Sequence, residues 1–185
     1  MRVPEPKPKV TPWPVALWPK EPKRFCPLCG GKLERISREG RMRLYCRQCD
    51  RILYENPLPA TAAVVLENKQ HLLLVKRAME PARGEWCLPG GFVELDETPE
   101  QGVLRELHEE TGLEGKVNHL IGVIPEESPL YGPLIIIGYQ VAPQGGRLKA
   151  GDDAAEVSYF PLRRLPHIAF DSHQAIIDAI ARRTR

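Results

Sequence analysis

Residues 91–113, GFVELDETPEQGVLRELHEETGL, ask one helix to carry Glu106, Glu109 and Glu110 within a single turn. Carboxylates three and four residues apart are neighbours on a helix, and like charges there repel. At a separation of about 4 Å and an effective dielectric near 20, each repulsion is about 4 kcal/mol before screening. The helix is well specified all the same. Thr98 fits an N-cap, Pro99 the first helical position and Gln101 the third position of a capping box, while Gly112 fits the stop. Helical spacing puts Leu104 and Leu107 on the side of Val103 and the three glutamates on the adjoining side. Gly102 falls among the acids, where it costs about 1 kcal/mol relative to Ala. Two explanations of Gly102 stand open: a group that approaches the acids closely, or a tight contact with a neighbouring strand.

Two explanations of the acids also stand open. One is a solvated face, on which water and salt remove most of the repulsion. The other is a site for hard cations: clustered carboxylates suit Mg²⁺ or Mn²⁺, ions that also bind phosphate oxygens, and bound cations convert the repulsion into affinity. The preceding LPGGFVE supplies a glycine-rich loop whose backbone can approach ions and phosphate.

The chain has 185 residues, room for one well-buried domain and a small accessory module. No apolar run is long enough to span a membrane and no secretory signal is visible, so a cytoplasmic protein without a membrane partner is expected. Charge is unevenly spread: residues 1–54 hold 13 Lys and Arg against 5 Asp and Glu, and residues 55–185 hold 13 against 19. The basic module has few aromatics for stacking bases, so nucleic acid is not an expected partner.

Four of the five cysteines form two CxxC pairs, Cys26/Cys29 and Cys46/Cys49, separated by sixteen residues. That is the spacing of a zinc ribbon with four thiolates around one ion. Four thiolates leave no open position, so the zinc is expected to be structural and to supply folding energy that some 30 residues lack in a core. Cys87, in EWCLPGG, reads as a small buried hydrophobe.

Three segments follow. Residues 1–24 carry seven prolines and read as an extended arm, with Trp13 and Trp18 as anchors. Residues 25–54 form the ribbon, with REGRM as its hairpin turn, and ENPLP ends it. Residues 55–185 form the main domain. In it TAAVVLE, HLLLVKR, LIIIGYQVA and EVSYFPL read as strands. DSHQAIIDAIARR reads as a second helix, capped by Asp171 and Gln174, with Ile176, Ile177 and Ile180 on one face. The expected class is α/β (α+β), a mixed sheet sandwiched between helices and preceded by the ribbon.

Gly91, Glu97, Arg105, Glu106, Leu107, Glu109, Glu110, Gly112 and Leu113 together fill every fixed position of the 23-residue Nudix box, and on those residues the chain resembles the Nudix hydrolases. The resemblance implies a Nudix fold and Mg²⁺-dependent hydrolysis of a nucleoside diphosphate linked to another moiety. It implies that Gly91, Glu106, Glu109 and Glu110 hold two to three Mg or Mn ions, that Arg105 orients the carboxylates, and that Glu97 binds or positions a metal. The general base varies within the family. Glu156, Asp152 and Asp153 are candidates here, with Glu97 as a rival.

A zinc ribbon ahead of the box narrows the resemblance to two groups. NADH pyrophosphatases carry SQPWPFP after the box, and the corresponding NHLIGVIPEESPLYGPL lacks it. FCPLCGGK, YENP and LPHIAFDS resemble the group that includes FAD and ADP-ribose pyrophosphatases. The expected substrate is thus an ADP-linked compound such as ADP-ribose or FAD, cleaved to release AMP. The alternatives are NADH or a dinucleoside polyphosphate and, from another class, a nucleotide-sensing or nucleic-acid-binding module without hydrolysis. Phe92, Tyr131 and Tyr45 are candidates to clamp an adenine ring; the resemblance allows a homodimer, and the sequence leaves the oligomeric state open.

Overall fold

The computed structural model describes residues 23–151 and 153–183; almost all of the proline-rich arm, with Trp13 and Trp18, lies outside them, as does Asp152. The chain divides into two compact units, residues 1–54 and 55–185.

In the first unit, β1 (Leu33–Arg38), β2 (Arg41–Cys46) and β3 (Arg51–Leu53) form an antiparallel sheet in that order. The REGRM turn is Glu39–Gly40, both at positive φ (55° and 73°), as a two-residue hairpin matching strand twist requires. The interior consists of Leu33 and Leu44 with Cys26 and Cys46, flanked by Cys49 and Leu53. So few apolar side chains cannot offset the ordering of some 30 residues, which leaves the cysteines to hold the unit together.

The second unit comprises β4 (Leu58–Glu67), β5 (His71–Arg77), β6 (Trp86–Cys87), α1 (Pro99–Thr111), β7 (Leu113–Ser128), β8 (Gly132–Gly146), β9 (Ala154–Pro161) and α2 (Asp171–Arg183). Strand order is β6-β5-β4-β8-β7, with β9 on β5. β4 runs parallel to β8 and the other pairs are antiparallel, so the sheet is mixed. The continuous apolar run of β4 follows from burial on both faces. Ala62 and Val64 join Leu72, Leu74, Ile136 and the α2 isoleucines Ile176, Ile177 and Ile180 in one core. Ala63, Val65 and Leu73 join Val103, Leu107, Tyr139 and Val141 in the other, under α1. Burying Val103 and Leu107 completely stabilises α1 by about 1.5–3 kcal/mol each.

Three boundaries differ from expectation. β4 begins at Leu58, so Pro59 lies within a strand rather than in a junction, and its carbonyl accepts from the Val93 N–H at 3.1 Å. β7 is absent from the sequence reading: Gly115, Gly122 and Pro125 interrupt it, and register shifts at three places destroy the alternation by which a strand is recognised. Helix α2 starts on its expected cap, one residue earlier than that cap implies. Asp171 is its first residue, the Gln174 N–H donates to the Phe170 carbonyl at 3.1 Å, and the Gln174 side chain turns to Asp178 at 2.8 Å. The Ser172 N–H, with no intrahelical partner at that position, donates instead to Glu126 Oε2 at 3.0 Å.

Candidate active site

Helix α1 begins with the expected capping box: Thr98 Oγ1 accepts from the Gln101 N–H and Gln101 Oε1 from the Thr98 N–H, at 3.3 and 2.8 Å. Gly112 ends it at φ 70°. The glycine among the acids has a clear purpose. A Cβ on Gly102 would stand 2.8 Å from Glu97 Oε1, so what approaches is a fourth carboxylate and not a strand. Gly91 acts likewise from the loop, since a Cβ there would stand 2.6 Å from Glu106 Cδ. Its carbonyl is anchored on β4 by the Thr61 N–H at 2.8 Å.

What makes the acids tolerable is Arg105. Its Nε donates to Glu97 Oε2 at 3.0 Å, and its Nη2 donates to Glu97 Oε1 at 2.7 Å and the Phe92 carbonyl at 3.0 Å. Its Nη1 donates to Glu106 Oε1 and Glu109 Oε2, both at 2.8 Å. Five N–H groups meet five acceptors, the full donor capacity of a guanidinium. The expectation that metal cations relieve the repulsion is therefore corrected in part, because an internal cation already sits between Glu97, Glu106 and Glu109.

Glu110 is different from the three acids bound to Arg105. Glu110 is only 6% exposed, and the Gly90 N–H donates to its Oε2 at 2.9 Å. Burial, more than any neighbouring charge, pushes its carboxyl up to about 8. Burial raises Glu106 as well, against the pull of Arg105. Glu97 is held below its ordinary value by Arg105, which makes it a weak proton acceptor.

Three of these acids, Glu106, Glu109 and Glu110, open onto a cavity of about 580 Å³ that Asp153 also lines, whereas Glu97 and Arg105 lie outside that lining. Glu156 is not part of that lining; it lies exposed on β9 and faces Lys76 at 3.8 Å. Phe92 and Tyr131 both reach the cavity, but their rings meet edge to face at 5.0 Å and form one wall rather than two jaws. Tyr45 belongs to the ribbon unit, where its hydroxyl bonds Asp50 at 2.5 Å. Cys87 is buried as expected, its thiol pushed up to about 12 by burial.

Sequence reasoning missed Arg77, Glu126, Ser172 and His173, all of which line the cavity. Arg77 stands 5.3 Å above the Phe170 ring and donates to the Pro81 carbonyl at 2.6 Å. His173 Nδ1 accepts from the Leu88 N–H at 3.1 Å, and burial lowers the imidazole to about 3, so it stays neutral. None carries a local signal: each reaches the site through long-range packing.

In the ribbon unit the sulfurs of Cys26, Cys29, Cys46 and Cys49 all lie within 4.8 Å of one another, with Cys26–Cys49 at 3.9 Å and Cys29–Cys46 at 3.5 Å. Tetrahedral thiolates around zinc at 2.3 Å stand about 3.8 Å apart, so the cluster fits that ion.

Comparison with known proteins agrees with this geometry. Residues 57–180 match the family model for the NUDIX domain and residues 24–55 that for the Nudix N-terminal zinc ribbon. An ADP-ribose pyrophosphatase of Methanocaldococcus jannaschii is 45% identical over 128 residues, covering 68% of this chain and 75% of that protein. The NAD-capped RNA hydrolase NudC of Vibrio vulnificus is 30% identical over 79% of this chain but only 54% of its own length, so the chain spans about half of it. The crystal structure of a NUDIX hydrolase from Nitrosomonas europaea superposes with a TM-score of 0.73 at 30% identity, covering 88% of this chain and 93% of that one. Among the described residues no helix is long and apolar enough to cross a membrane.

Proposed function

The chain belongs to the NUDIX family of hydrolases, and on that premise we propose that it cleaves the diphosphate of an ADP-linked compound, ADP-ribose or FAD, releasing AMP and the phosphorylated remainder. The observation that carries this reading is the 45% identity to the M. jannaschii ADP-ribose pyrophosphatase, over a span that covers three quarters of that protein.

The donor set fits hard divalent ions: Glu106, Glu109 and Glu110 offer carboxylate oxygens only, and the missing side chain of Gly91 keeps space beside Glu106. When bound, Mg²⁺ or Mn²⁺ supplies neutralisation of the diphosphate and activation of water. Arg105 acts as a positioning residue, fixing Glu97, Glu106 and Glu109 by hydrogen bonds of 2.7–3.0 Å. Asp153 lines the cavity and replaces Glu156 as the candidate proton acceptor.

Incubation with Mg²⁺ and a panel of ADP-ribose, FAD, NADH, diadenosine polyphosphates and nucleoside triphosphates tests the reading. AMP release is expected from ADP-ribose or FAD; none from any ADP-linked member sinks it. Glu109→Gln is expected to lower kcat by orders of magnitude with the fold intact.

A further inference from the structure

The cavity has a second polar wall that the hydrolytic reading does not use. Ser172 is 2% exposed and lines the cavity, and its Oγ has no hydrogen-bond partner among the described residues. A buried hydroxyl left unpaired costs about 1–3 kcal/mol, a cost that a ligand supplying the partner removes. The backbone N–H of the same residue, in the first turn of the 13-residue α2, holds Glu126 Oε2 at 3.0 Å. Glu126 lines the cavity too, and its Oε1 has no protein donor among the described residues. A fixed acceptor and an unpaired hydroxyl therefore stand side by side. The adjoining His173 is tied by its Nδ1 to Leu88 and adds no positive charge.

The surface beside this pair is apolar: Ala60, Leu134 and Ile136 line the same cavity. Leu134 is the register partner of Glu126 across β7 and β8, so the carboxylate is based directly beside that surface. A flat ring that rests on apolar side chains and presents an N–H donor next to an acceptor satisfies all three features. Phosphate does not, because Glu126 and the neighbouring Glu127 repel it.

We infer that Glu126 and Ser172 form a base-recognition subsite for a purine bearing an exocyclic amine: Glu126 accepts from the amine, and Ser172 Oγ donates to the adjacent ring nitrogen. The inference rests on the reading of the cavity as the site of an ADP-linked compound and names what holds the adenine end. It also orients the substrate: Glu126 and Glu127 repel the diphosphate from the base end, and the α1 acids would receive it through the divalent ions they hold.

The test is calorimetric binding of AMP and of purine riboside 5′-monophosphate, which lacks only the amine, to the full zinc-bearing chain with and without Mg²⁺. Wild type is expected to bind AMP at least tenfold more tightly than the riboside analogue. Glu126→Gln is expected to abolish that preference. Ser172→Ala, which keeps the backbone N–H on Glu126, is expected to weaken AMP several-fold while the preference remains. Equal affinity of the two nucleotides for wild type, as a ribose-hydroxyl subsite would give, overturns the inference, and so does a preference that survives Glu126→Gln. Should Glu126→Gln fail to fold, the wild-type comparison alone decides. Amine-dependent AMP binding without hydrolysis of any ADP-linked compound removes the proposed reaction and leaves this subsite standing.

Discussion

Glu110 makes the sharpest energetic demand on the fold, and replacing it by Gln isolates that demand. Its carboxyl moves from an ordinary 4.5 to about 8 on burial. The folded value lies above the unfolded one, so the stability tied to the bound proton is complete below about 4.5 and is lost as pH rises to about 8. At pH 7.5, with 1.36 kcal/mol per pH unit, the carboxyl opposes folding by at most about 4 kcal/mol. Gln at this position keeps an oxygen for the Gly90 N–H and carries no charge. Without added divalent ions, Glu110→Gln should melt with wild type at pH 4.5 and about 5–10 °C above it at pH 7.5, taking ~3 °C per kcal/mol and discounting for relaxation. Millimolar Mg²⁺ should raise the wild-type Tm and leave the variant's nearly unmoved. Thermal melts followed by circular dichroism at several pH values measure both effects. A difference in Tm that does not change between pH 4.5 and 7.5 refutes the claim that this carboxyl is forced from its ordinary titration by burial.

Other perturbations probe the rest of the site. Arg105→Ala leaves Glu97 and Glu106, whose side chains are 12% and 17% exposed, without their shared cation; a loss of about 2–4 kcal/mol in urea unfolding is expected, and Arg105→Lys should recover only part of it. Gly102→Ala improves helix propensity yet pushes on Glu97, so activity in the AMP-release assay should fall while Tm changes by no more than a few degrees. Zinc chelation should release residues 23–54 to rapid amide exchange while β4, β5 and α1 stay protected, because the ribbon's interior is built on its cysteines.

The sequence already showed helix α1 with both caps, because capping is local chemistry written within a few residues. It showed β4 as a strand for a similar reason, as an unbroken apolar run; that both of its faces are buried came only with the structure. It did not show β7, whose glycines, proline and bulges hide a 16-residue strand. The acids were legible as a cluster and Arg105 as the residue that orients them, yet its part in relieving their repulsion was not, since its five acceptors, on four residues from Phe92 to Glu109, meet only in three dimensions. Glu126 and Ser172 lie 46 positions apart and were invisible for the same reason. Glu156 was chosen by its place near a strand; the strand's pairing with β5 carries it to Lys76 instead.

The small residues at the centre of the sheet have a consequence for the length of molecule the enzyme accepts. Ala62 faces the core under α2 and Ala63 the core under α1, while Gly138 on β8 lets the Ile176 side chain come within 3 Å of where a Cβ would be. Helix α1 is thereby drawn close to β4 and α2 to β8, and each brings one working group to the shared cavity: α1 the acids, α2 the backbone N–H that fixes Glu126. If the base sits at Glu126, as inferred, the thickness of the sandwich at these positions acts as a ruler between it and the phosphate held at α1. A methyl group added at Ala63 or Gly138 touches no ligand, yet it resets that ruler, so these interior positions are where selection for longer or shorter substrates would leave its mark.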